Sequence, residues 1–501
     1  MGPDRGSLHH RGPDRRAHGR PRRRPPGSAV RRGRGGGSTW ADEALAGAEP
    51  RVVWFEHPDP GPRPALTGRL DADLVVVGAG FSGLWAALMA AEDDPGRRIV
   101  VVEADRIAAS ASGRNGGFVD ASLTHGLENG LAHWPDEIDT LVRLGRENLA
   151  GFTDALDRHG IDAAFELSGE IDLATEPHHR DWLAEAAAVH RRHGEDVEVL
   201  DEAAMRAEVD SPRFLAGLWR RGSVGLVDPV RLARGLADAA ERLGVTILEG
   251  SPVEAVESDG PHLVVRTAAG RVVAERVVVA TNAHRRPWRR ARRWVVPVYD
   301  YVLATEPLDP AARAAIGWHH RQGLGEVTNQ FHYFRLTPDD RILWGGYDAI
   351  YPFGGRIDPR LEQAGPTHRR LAHQFFDTFP QLEGVRFTHR WAGPIATTTR
   401  FTAAWRTAHR GRLVWVGGYT GLGVGASRFG ARVALDLVDG HRTERTELAM
   451  VRRPPIPFPP EPLRWVGVQL TRRALQRADR RQGRRGPWLR LLDGAGIGFD
   501  S

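Results

Sequence analysis

The sequence predicts an α/β fold in which a domain with a mainly parallel sheet is interleaved along the chain with a domain built on an antiparallel sheet. Two runs of β-branched residues, 73–77 and 98–102, enclose a glycine-rich turn and an apolar helix, the order of a parallel β–α–β unit. Residues 295–400 alternate in strand patterns rich in aromatic residues, which indicate antiparallel pairing. With 501 residues, 41% of them hydrophobic, the chain can fill both cores.

The first unit carries a dinucleotide-binding fingerprint. The turn after residues 73–77 reads Gly78-Ala79-Gly80-Phe81-Ser82-Gly83, and a helix over residues 84–92 follows. Gly78 permits the tight turn, Gly80 lets a pyrophosphate approach the backbone, and Gly83 lets helix and strand pack closely.

The second strand ends in an acid. Glu103, followed by Ala104, lies 20 residues after Gly83 and is placed to bind a ribose diol. The unit predicts a Rossmann-like domain that binds an ADP-containing dinucleotide. The uncharged run 74–91 is long enough to suggest a membrane span, but the β–α–β unit accounts for it, so no transmembrane helix is expected.

A loop of small residues comes next, because residues 109–118 read ASASGRNGGF. This loop resembles the ASGRNGG loop of the D-amino-acid oxidase and glycine oxidase superfamily of flavoproteins, in particular its γ-glutamylputrescine-oxidase-like members. The resemblance implies that the loop wraps the flavin and pyrophosphate of FAD. Small side chains let backbone N–H groups approach the cofactor, and Arg114 can offset phosphate charge. The residues concerned are Ser112, Gly113, Arg114, Asn115, Gly116 and Gly117.

Later segments extend the resemblance over about residues 70–440. In relatives the residue matching Val253 pairs its backbone with adenine, and Thr281-Asn282 matches an ATGA-like turn near the cofactor. A strand, glycine turn and helix late in the chain match the segment that closes the cofactor site: Gly418, Tyr419, Thr420, Gly421, Leu422 and Gly423. The resemblance implies non-covalent FAD, because Cys is absent and Arg114-Asn115 stand where some relatives tether the flavin to a His.

The resemblance also implies the reaction: the C–N bond of an amine or amino acid is oxidised by hydride transfer to flavin, and the resulting imine hydrolyses to a carbonyl product. Electrons pass to O2 or another acceptor. All 69 basic residues are Arg, so the Lys that activates oxygen in the sarcosine-oxidase branch is missing. An amino-acid substrate would need an Arg for its carboxylate, with Arg335 and Arg428 as candidates; a polyamine would suit Asp300 and Asp348. We favour an amine or γ-glutamyl-amine.

In relatives, the sheet matching residues 295–400 forms a roof over one flavin face. The expected catalytic and cavity-lining side chains are Tyr301, His332, Tyr347 and Trp391, together with Tyr299, although each is equally explained as a packing residue. No metal site is expected, since His190 and His193 have no third ligand in view. The absence of Cys further excludes disulfides and thiolate chemistry and fits a reducing compartment, so a cytoplasmic protein is expected.

The formal net charge of +6 is unevenly distributed. Residues 1–36 and 452–501 each contain 11 Arg with few acids, which leaves a net −10 for residues 37–451. Segment 1–36 lacks large apolar side chains and is expected to be disordered. It reads either as a nucleic-acid-binding arm or as a tail without a role, and the lack of an aromatic residue before Trp40 favours the second. We therefore expect no nucleic-acid partner and, without an apolar stretch after the basic residues, no export signal.

The C-terminal residues combine a proline-rich linker, 454–460, with a basic amphipathic helix over 463–481. This helix either lies on an anionic membrane or packs on the acidic body or a second subunit, and the packed arrangement is favoured. The oligomeric state is left open. Two alternative functions remain at this point: a flavoprotein held on a membrane or nucleic acid by its basic ends, and an NAD-dependent dehydrogenase.

These patterns predict one partition of the chain. Its segments are a disordered tail (1–36), a lead-in (37–70), the first part of the FAD domain (71–150), a helical part of the substrate domain (151–215), the second part of the FAD domain (216–294), the substrate-binding domain (295–400), the closing segment of the FAD domain (401–440) and a basic C-terminal tail (441–501).

Overall fold

Two eight-stranded sheets and a two-stranded ribbon contain the strands of the residues described in this computed structural model, 39–284 and 286–497. The predicted disordered tail, 1–36, lies outside the described residues. The strands are β1 (Gly68–Val77), β2 (Ile99–Val102), β3 (Phe118–Asp120), β4 (Glu170–Ala174), β5 (Val197–Leu200), β6 (Ala216–Arg220), β7 (Val224–Leu226), β8 (Thr246–Leu248), β9 (Ala255–Asp259), β10 (His262–Arg266), β11 (Gly270–Val279), β12 (Val296–Thr305), β13 (Gly323–Glu326), β14 (His332–Leu336), β15 (Ile342–Gly346), β16 (Phe387–Thr397), β17 (Ala404–Ala408) and β18 (Leu413–Gly417).

The α-helices lie between and after these strands. They are α1 (Thr39–Leu45), α2 (Phe81–Asp93), α3 (Leu127–His133), α4 (Ile138–His159), α5 (His179–Arg192), α6 (Glu202–Glu208), α7 (Pro229–Arg242), α8 (Pro310–Ile316), α9 (Gly365–Thr378), α10 (Gly423–Asp439), α11 (Glu444–Glu447), α12 (Ala449–Arg452), α13 (Leu463–Asp479) and α14 (Pro487–Gly494). Within the described ranges, no helix combines the length and apolar character that a membrane span requires.

The first sheet has the order β17-β18-β11-β1-β2-β8, with β9 and β10 joined to β11. Strands β1, β2, β8, β11 and β18 run parallel. Val76 packs in the core that includes α2, α7 and α10, whereas its neighbour Val77 packs in a separate core on the other face. Burial on both faces explains why these strands are continuous apolar runs rather than alternating ones.

Two helices begin where local chemistry allows it. Helix α2 begins at Phe81, three residues before the predicted 84, because Gly80 is its extended N-cap and Gly83 already lies in the first turn. Helix α7 begins at Pro229. Asp228 is its N-cap, and the Asp228 carboxylate accepts hydrogen bonds from the backbone N–H groups of Val230 and Arg231.

The second sheet has the order β16-β12-β15-β14-β13-β4-β6-β5. Its pairs are antiparallel except for β4 beside β13, which is parallel. Strand β6 pairs with β4 and β5 in this sheet, although the predicted partition assigns residues from 216 onward to the FAD domain. The predicted boundary at residue 216 stays a prediction, and the second sheet includes β6 up to residue 220.

Candidate functional site

Four parallel strands of the first sheet end at one edge, and each is followed by a predicted cofactor residue. Gly78 follows β1, Glu103 follows β2, Thr281 lies just beyond β11, and Gly418 follows β18. Ligands of open α/β sheets bind outside the carboxyl ends of the strands. The sequence-predicted residues are therefore brought together here.

The glycine-rich turn at this edge has no room for side chains. Gly78 has a φ of +105°, and a Cβ there would lie 2.9 Å from the carbonyl oxygen of Ala280. A Cβ on Gly83 would lie 1.9 Å from the carbonyl oxygen of Gly78, so this glycine allows α2 to pack on β1. The turn leaves the N-terminus of α2 open toward the cavity, where it can bind phosphate.

Glu103 holds the same turn from the second strand. Its carboxylate accepts hydrogen bonds from the backbone N–H groups of Ala79, at 2.6 Å, and Asp105, at 3.0 Å. Burial nevertheless raises the pKa of Glu103, because desolvation outweighs these hydrogen bonds. The carboxylate keeps lone pairs for a ribose diol.

The loop over residues 109–118 is fixed by its own side chains. Asn115 donates from Nδ2 to the carbonyls of Ala111 and Ser112 and accepts from the Gly117 N–H at 2.9 Å. Arg114 forms an ion pair with Glu362 and donates from Nε to the Ala109 carbonyl. Arg114 is thus already paired inside the protein.

Two indoles support the loop from behind. Trp391 donates from Nε1 to the Arg114 carbonyl at 2.9 Å, and Trp54 donates to the Asn115 carbonyl at 2.9 Å. Both rings are buried in a cluster of apolar side chains. The predicted catalytic candidate Trp391 therefore lies behind the loop and does not border the cavity.

The closing segment completes this side of the site. The Asn282 side chain accepts a hydrogen bond from the Gly418 N–H at 3.0 Å, and Ser82 donates to the Tyr419 hydroxyl at 2.7 Å. Thr420 has a φ of +51° in the turn that leads into α10. These bonds join the two ends of the first domain around the cofactor edge.

A cavity of about 1570 Å³ extends from this edge to the second sheet. Most of the predicted cofactor residues line it: Gly78, Gly80, Phe81, Ser82, Glu103, Ala104, Ser112, Arg114, Asn115, Gly116, Gly117, Val253, Thr281, Asn282, Tyr419, Thr420, Gly421, Leu422 and Gly423. Four lie directly behind its wall: Ala79, Gly83, Gly113 and Gly418. Many of these residues present backbone groups rather than side chains to the cavity, at the ends of the parallel strands. Such a surface fits an extended dinucleotide such as FAD.

Asp300 on β12 and Tyr333 on β14 form a polar pair on the opposite wall. The Tyr333 hydroxyl donates to Asp300 at 2.5 Å. Burial raises the pKa of Asp300 to about 6 and that of Tyr333 well above its ordinary value. A Cβ on Gly116 would lie 2.7 Å from the Tyr333 ring, so the pair lies directly against the loop.

The other predicted catalytic side chains are placed differently. Tyr347 lines the cavity, as does Tyr299. Tyr301 is buried and donates its hydroxyl to the Leu361 carbonyl at 2.6 Å. His332 is buried between the Trp344 and Tyr347 rings and is hydrogen-bonded to Glu326 and Gln374. Neither Tyr301 nor His332 borders the cavity.

The predicted substrate-charge residues also lie elsewhere. Arg335 is buried and donates to the carbonyls of Gly117, Val227 and Leu336, which supports the loop from outside the cavity. Arg428 lies over the Trp85 ring, also outside the cavity. Asp348 lines the cavity and is paired with Arg370. Of these candidates Asp300 alone is placed beside the loop without an ion pair in the described part of the chain.

A group of acids that lines the cavity has no local sequence signal. Arg220 on β6 is largely buried and is paired with Asp120 of β3 and with Glu170 and Asp172 of β4. Burial and the neighbouring carboxylates raise the pKa of Glu170 to about 8. His190 bonds Glu195 at 2.7 Å, and in the described residues no cluster of three or more metal-ligating side chains occurs.

The C-terminal segment forms the remaining wall. Residues of the proline-rich linker, of α13 and of α14 border the cavity: Pro457, Phe458, Pro459, Leu463, Arg464, Gly467, Val468, Thr471, Arg472, Leu475, Trp488 and Leu492. The predicted helix thus packs on the body of its own chain. The amphipathic pattern predicts the helix, but no sequence signal indicates which surface it covers.

Comparison with known proteins agrees with this geometry. Residues 73–437 match the family model described as "DAO: FAD dependent oxidoreductase". Gamma-glutamylputrescine oxidoreductase of Escherichia coli is 32% identical over 410 residues, covering 79% of this chain and 90% of that protein. Probable oxidoreductase OrdL of Haemophilus influenzae is 30% identical over 396 residues, covering 75% and 85%.

A solved structure shows the same fold. Glycine oxidase of Geobacillus kaustophilus superposes with a TM-score of 0.64 at 22% sequence identity, covering 75% of this chain and 96% of that one.

Proposed function

Because the chain belongs to the DAO family of FAD-dependent oxidoreductases, which act on amines and amino acids, we propose that it oxidises the C–N bond of an amine whose ammonium binds at Asp300. Membership of this family confirms the predicted fold class, FAD and enzyme class, and it favours FAD over the NAD alternative. The substrate, the site residues and the electron acceptor belong to the proposal.

The FAD site is assigned to the edge of the first sheet. The turn 78–83 and the N-terminus of α2 hold the pyrophosphate, Glu103 the ribose, and the backbone of Val253 the adenine. The loop 109–118 and the turn before α10 hold the flavin end. The chemistry that FAD would supply there is the uptake of a hydride from the carbon beside the substrate nitrogen. Since the sequence has no Cys, and Arg114 and Asn115 stand where some relatives tether the flavin to a His, we expect the flavin to be released by acid denaturation.

The observation that carries the proposal is the pair of Asp300 and Tyr333 beside the loop. Above a pH of about 6 the Asp300 carboxylate is ionised and can bind a substrate ammonium. It accepts one proton from this ammonium, which leaves the neutral amine whose lone pair drives the loss of hydride from the adjacent carbon. The iminium product then adds water and releases a carbonyl compound and an amine or ammonia.

Charge in the cavity supports an amine over a simple amino acid. The two arginines expected to bind a carboxylate, Arg335 and Arg428, lie outside the cavity wall. Three acids surround the one guanidinium of Arg220. Even with Glu170 protonated at neutral pH, because its pKa is raised to about 8, the other two acids outnumber the guanidinium, which favours a cationic ligand. The name of one relative, gamma-glutamylputrescine oxidoreductase, gives its substrate. γ-Glutamyl-amines are therefore the first substrates to test.

The test is a spectrum followed by a substrate panel. The purified protein should carry flavin absorption, and anaerobic addition of the correct amine should bleach it. Amino acids without a second amine are the comparison compounds, and they should bleach the flavin absorption less. Peroxide measured in air identifies O2 as the acceptor, and its absence together with bleaching identifies another acceptor. A colourless protein that FAD cannot reconstitute contradicts the proposal.

The outer face of α13 favours a second role, attachment to an anionic membrane surface. Val466 and Leu470 are 44% and 45% exposed, and the exposed Arg473, Arg477 and Arg480 continue the same face. Exposed apolar residues beside arginines are typical of helices that lie in a lipid interface. The expected cytoplasmic location stays a prediction.

Vesicle cosedimentation tests this role. The protein should bind vesicles containing phosphatidylglycerol and not vesicles of phosphatidylcholine alone, and Leu470→Glu should weaken the binding. Because this variant keeps the Arg-rich segment 1–36, binding that is unchanged by Leu470→Glu would contradict attachment through α13.

A further inference from the structure

The C-terminal segment after residue 452 lies beyond the part of the chain that matches the family, which ends at residue 437. It nevertheless forms one wall of the cavity. The cavity of this chain is therefore lined in part by side chains that the family match does not contain.

Specific hydrogen bonds hold this segment in place. Near its start, Glu461 accepts from the Tyr351 hydroxyl at 2.5 Å and from the Gly354 N–H at 3.1 Å. At the end of α13, Asp479 accepts from Asn329 Nδ2 at 2.6 Å and from the Gln330 N–H at 3.3 Å. Both ends of α13 are thus bonded to loops that flank the strands of the second sheet, and the helix is positioned as a wall.

The inner face of α13 follows helical spacing. Its cavity-lining residues are Arg464, Gly467, Val468, Thr471, Arg472 and Leu475. Positions three and four residues apart lie on one side of a helix. Two arginines therefore face the cavity that the acids around Arg220 also line.

Arg472 differs from the other partly buried arginines of the cavity wall. Arg106, Arg114 and Arg220 are paired with carboxylates, and Arg464 donates from Nε to the Pro459 carbonyl. Arg472 makes no hydrogen bond or ion pair with any residue of the described ranges, and its Nε is shielded from solvent without a partner. A buried Nε–H without an acceptor costs free energy, and the remaining donors of this half-buried guanidinium have no protein partner in the described ranges, so they are free to bind a ligand.

We propose that Arg472 binds a carboxylate at the end of the substrate remote from the oxidised amine. Guanidinium and carboxylate match in geometry, and such pairs discriminate strongly against neutral analogues. This inference rests on the proposed function and narrows its substrate to amines that carry a distal carboxylate. Arg472 acts in substrate selection, while Asp300 acts at the reacting nitrogen.

A matched pair of substrates tests the inference. γ-Glutamylputrescine has the primary amine to be oxidised, an amide, and a distal end that carries a carboxylate and an α-ammonium, whereas N-acetylputrescine has the same amine and amide without that end; only the carboxylate can accept hydrogen bonds from Arg472. Arg472→Gln should raise KM for γ-glutamylputrescine about 10- to 100-fold with kcat little changed, because a charged hydrogen bond is lost. The KM for N-acetylputrescine should stay the same. Arg472→Lys should restore part of the difference.

The control is Arg490→Gln, an exposed arginine of α14 that does not border the cavity, which should leave both KM values unchanged. If the unmodified protein oxidises both compounds with equal KM, or if Arg472→Gln raises both KM values equally, the inference is wrong while the proposed function stands. If the unmodified protein oxidises neither these compounds nor any other amine, the proposed function fails and the inference fails with it.

Discussion

The two walls of the cavity are built in opposite ways. On the cofactor side, glycines and backbone groups at the ends of β1, β2, β11 and β18 form the surface. On the substrate side, the surface consists of side chains contributed by segments far apart in sequence, and its polar members include Asp300, Tyr333, Arg220 and Arg472. A backbone surface suits a ligand shared by a whole family, whereas a side-chain surface can change from one member to the next.

The difference also appears in how each wall tolerates change. Gly78 and Gly83 on the cofactor side oppose backbone, so a side chain at either position requires backbone segments to separate. A glycine on the inner face of α13 opposes nothing within 4 Å. The same substitution in the two places therefore distinguishes a fixed wall from an adaptable one.

The largest effect is expected from Gly83→Ala. Its Cβ would lie 1.9 Å from the Gly78 carbonyl oxygen, so the variant should lose about 3 kcal/mol of unfolding free energy and purify without flavin. Gly467→Ala on α13 is the control: it should gain up to about 1 kcal/mol, because Ala favours the helix. Thermal unfolding and the flavin-to-protein absorbance ratio measure both. Equal flavin loss in the two variants would contradict the comparison.

The next effect concerns the reacting amine. Asp300→Asn keeps the shape of the side chain and removes the base, so kcat/KM should fall about 10²- to 10⁴-fold while flavin content stays the same. Asp358→Asn is a suitable control, because Asp358 also lines the cavity but bonds Arg360 at the surface. Steady-state kinetics with γ-glutamylputrescine measures the effect. If kcat/KM is unchanged in Asp300→Asn, Asp300 is not the base of the reaction.

A smaller effect is a displaced pH profile. Burial raises the pKa of Asp300 to about 6, while the Tyr333 hydroxyl and the charge of His332 lower it. The carboxylate acts when ionised, so kcat/KM should be maintained above a pH of about 6 and decline as the pH falls through that value. Tyr333→Phe removes a hydrogen bond to the ionised form, so the decline should begin at higher pH. An identical acid limb in both proteins would show that another group titrates.

The cofactor wall could be predicted from sequence because its rules are local. Gly78, Gly80, Gly83 and Glu103 occur at spacings that only a β–α–β turn with a bound dinucleotide explains, and the structure places them at one sheet edge. The strands of the first sheet, and most helices that pack on it, can be predicted from the apolar runs that lie between such turns.

The substrate wall could not be predicted in the same way. Arg220 meets carboxylates from β3 and β4, an arrangement fixed by pairing between distant strands. Tyr301, His332 and Trp391 have the residue types expected of a site, yet they fill the core. Nothing in an aromatic strand pattern says which face a ring occupies until the register is known.

The smallest effect tests whether one of these core residues still serves the cofactor wall. Trp391 donates to the Arg114 carbonyl, so Trp391→Phe should cost about 1 kcal/mol of unfolding free energy and raise the Kd for FAD several-fold, because the loop loses a support. Trp405 donates the same kind of bond, at 2.9 Å, to the Gly430 carbonyl away from the loop. Trp405→Phe should lose similar stability and keep its FAD affinity. Flavin titration of both apoproteins separates the outcomes: equal Kd values would mean that Trp391 contributes to packing alone, and that the cofactor wall is held by its backbone without help from the core behind it.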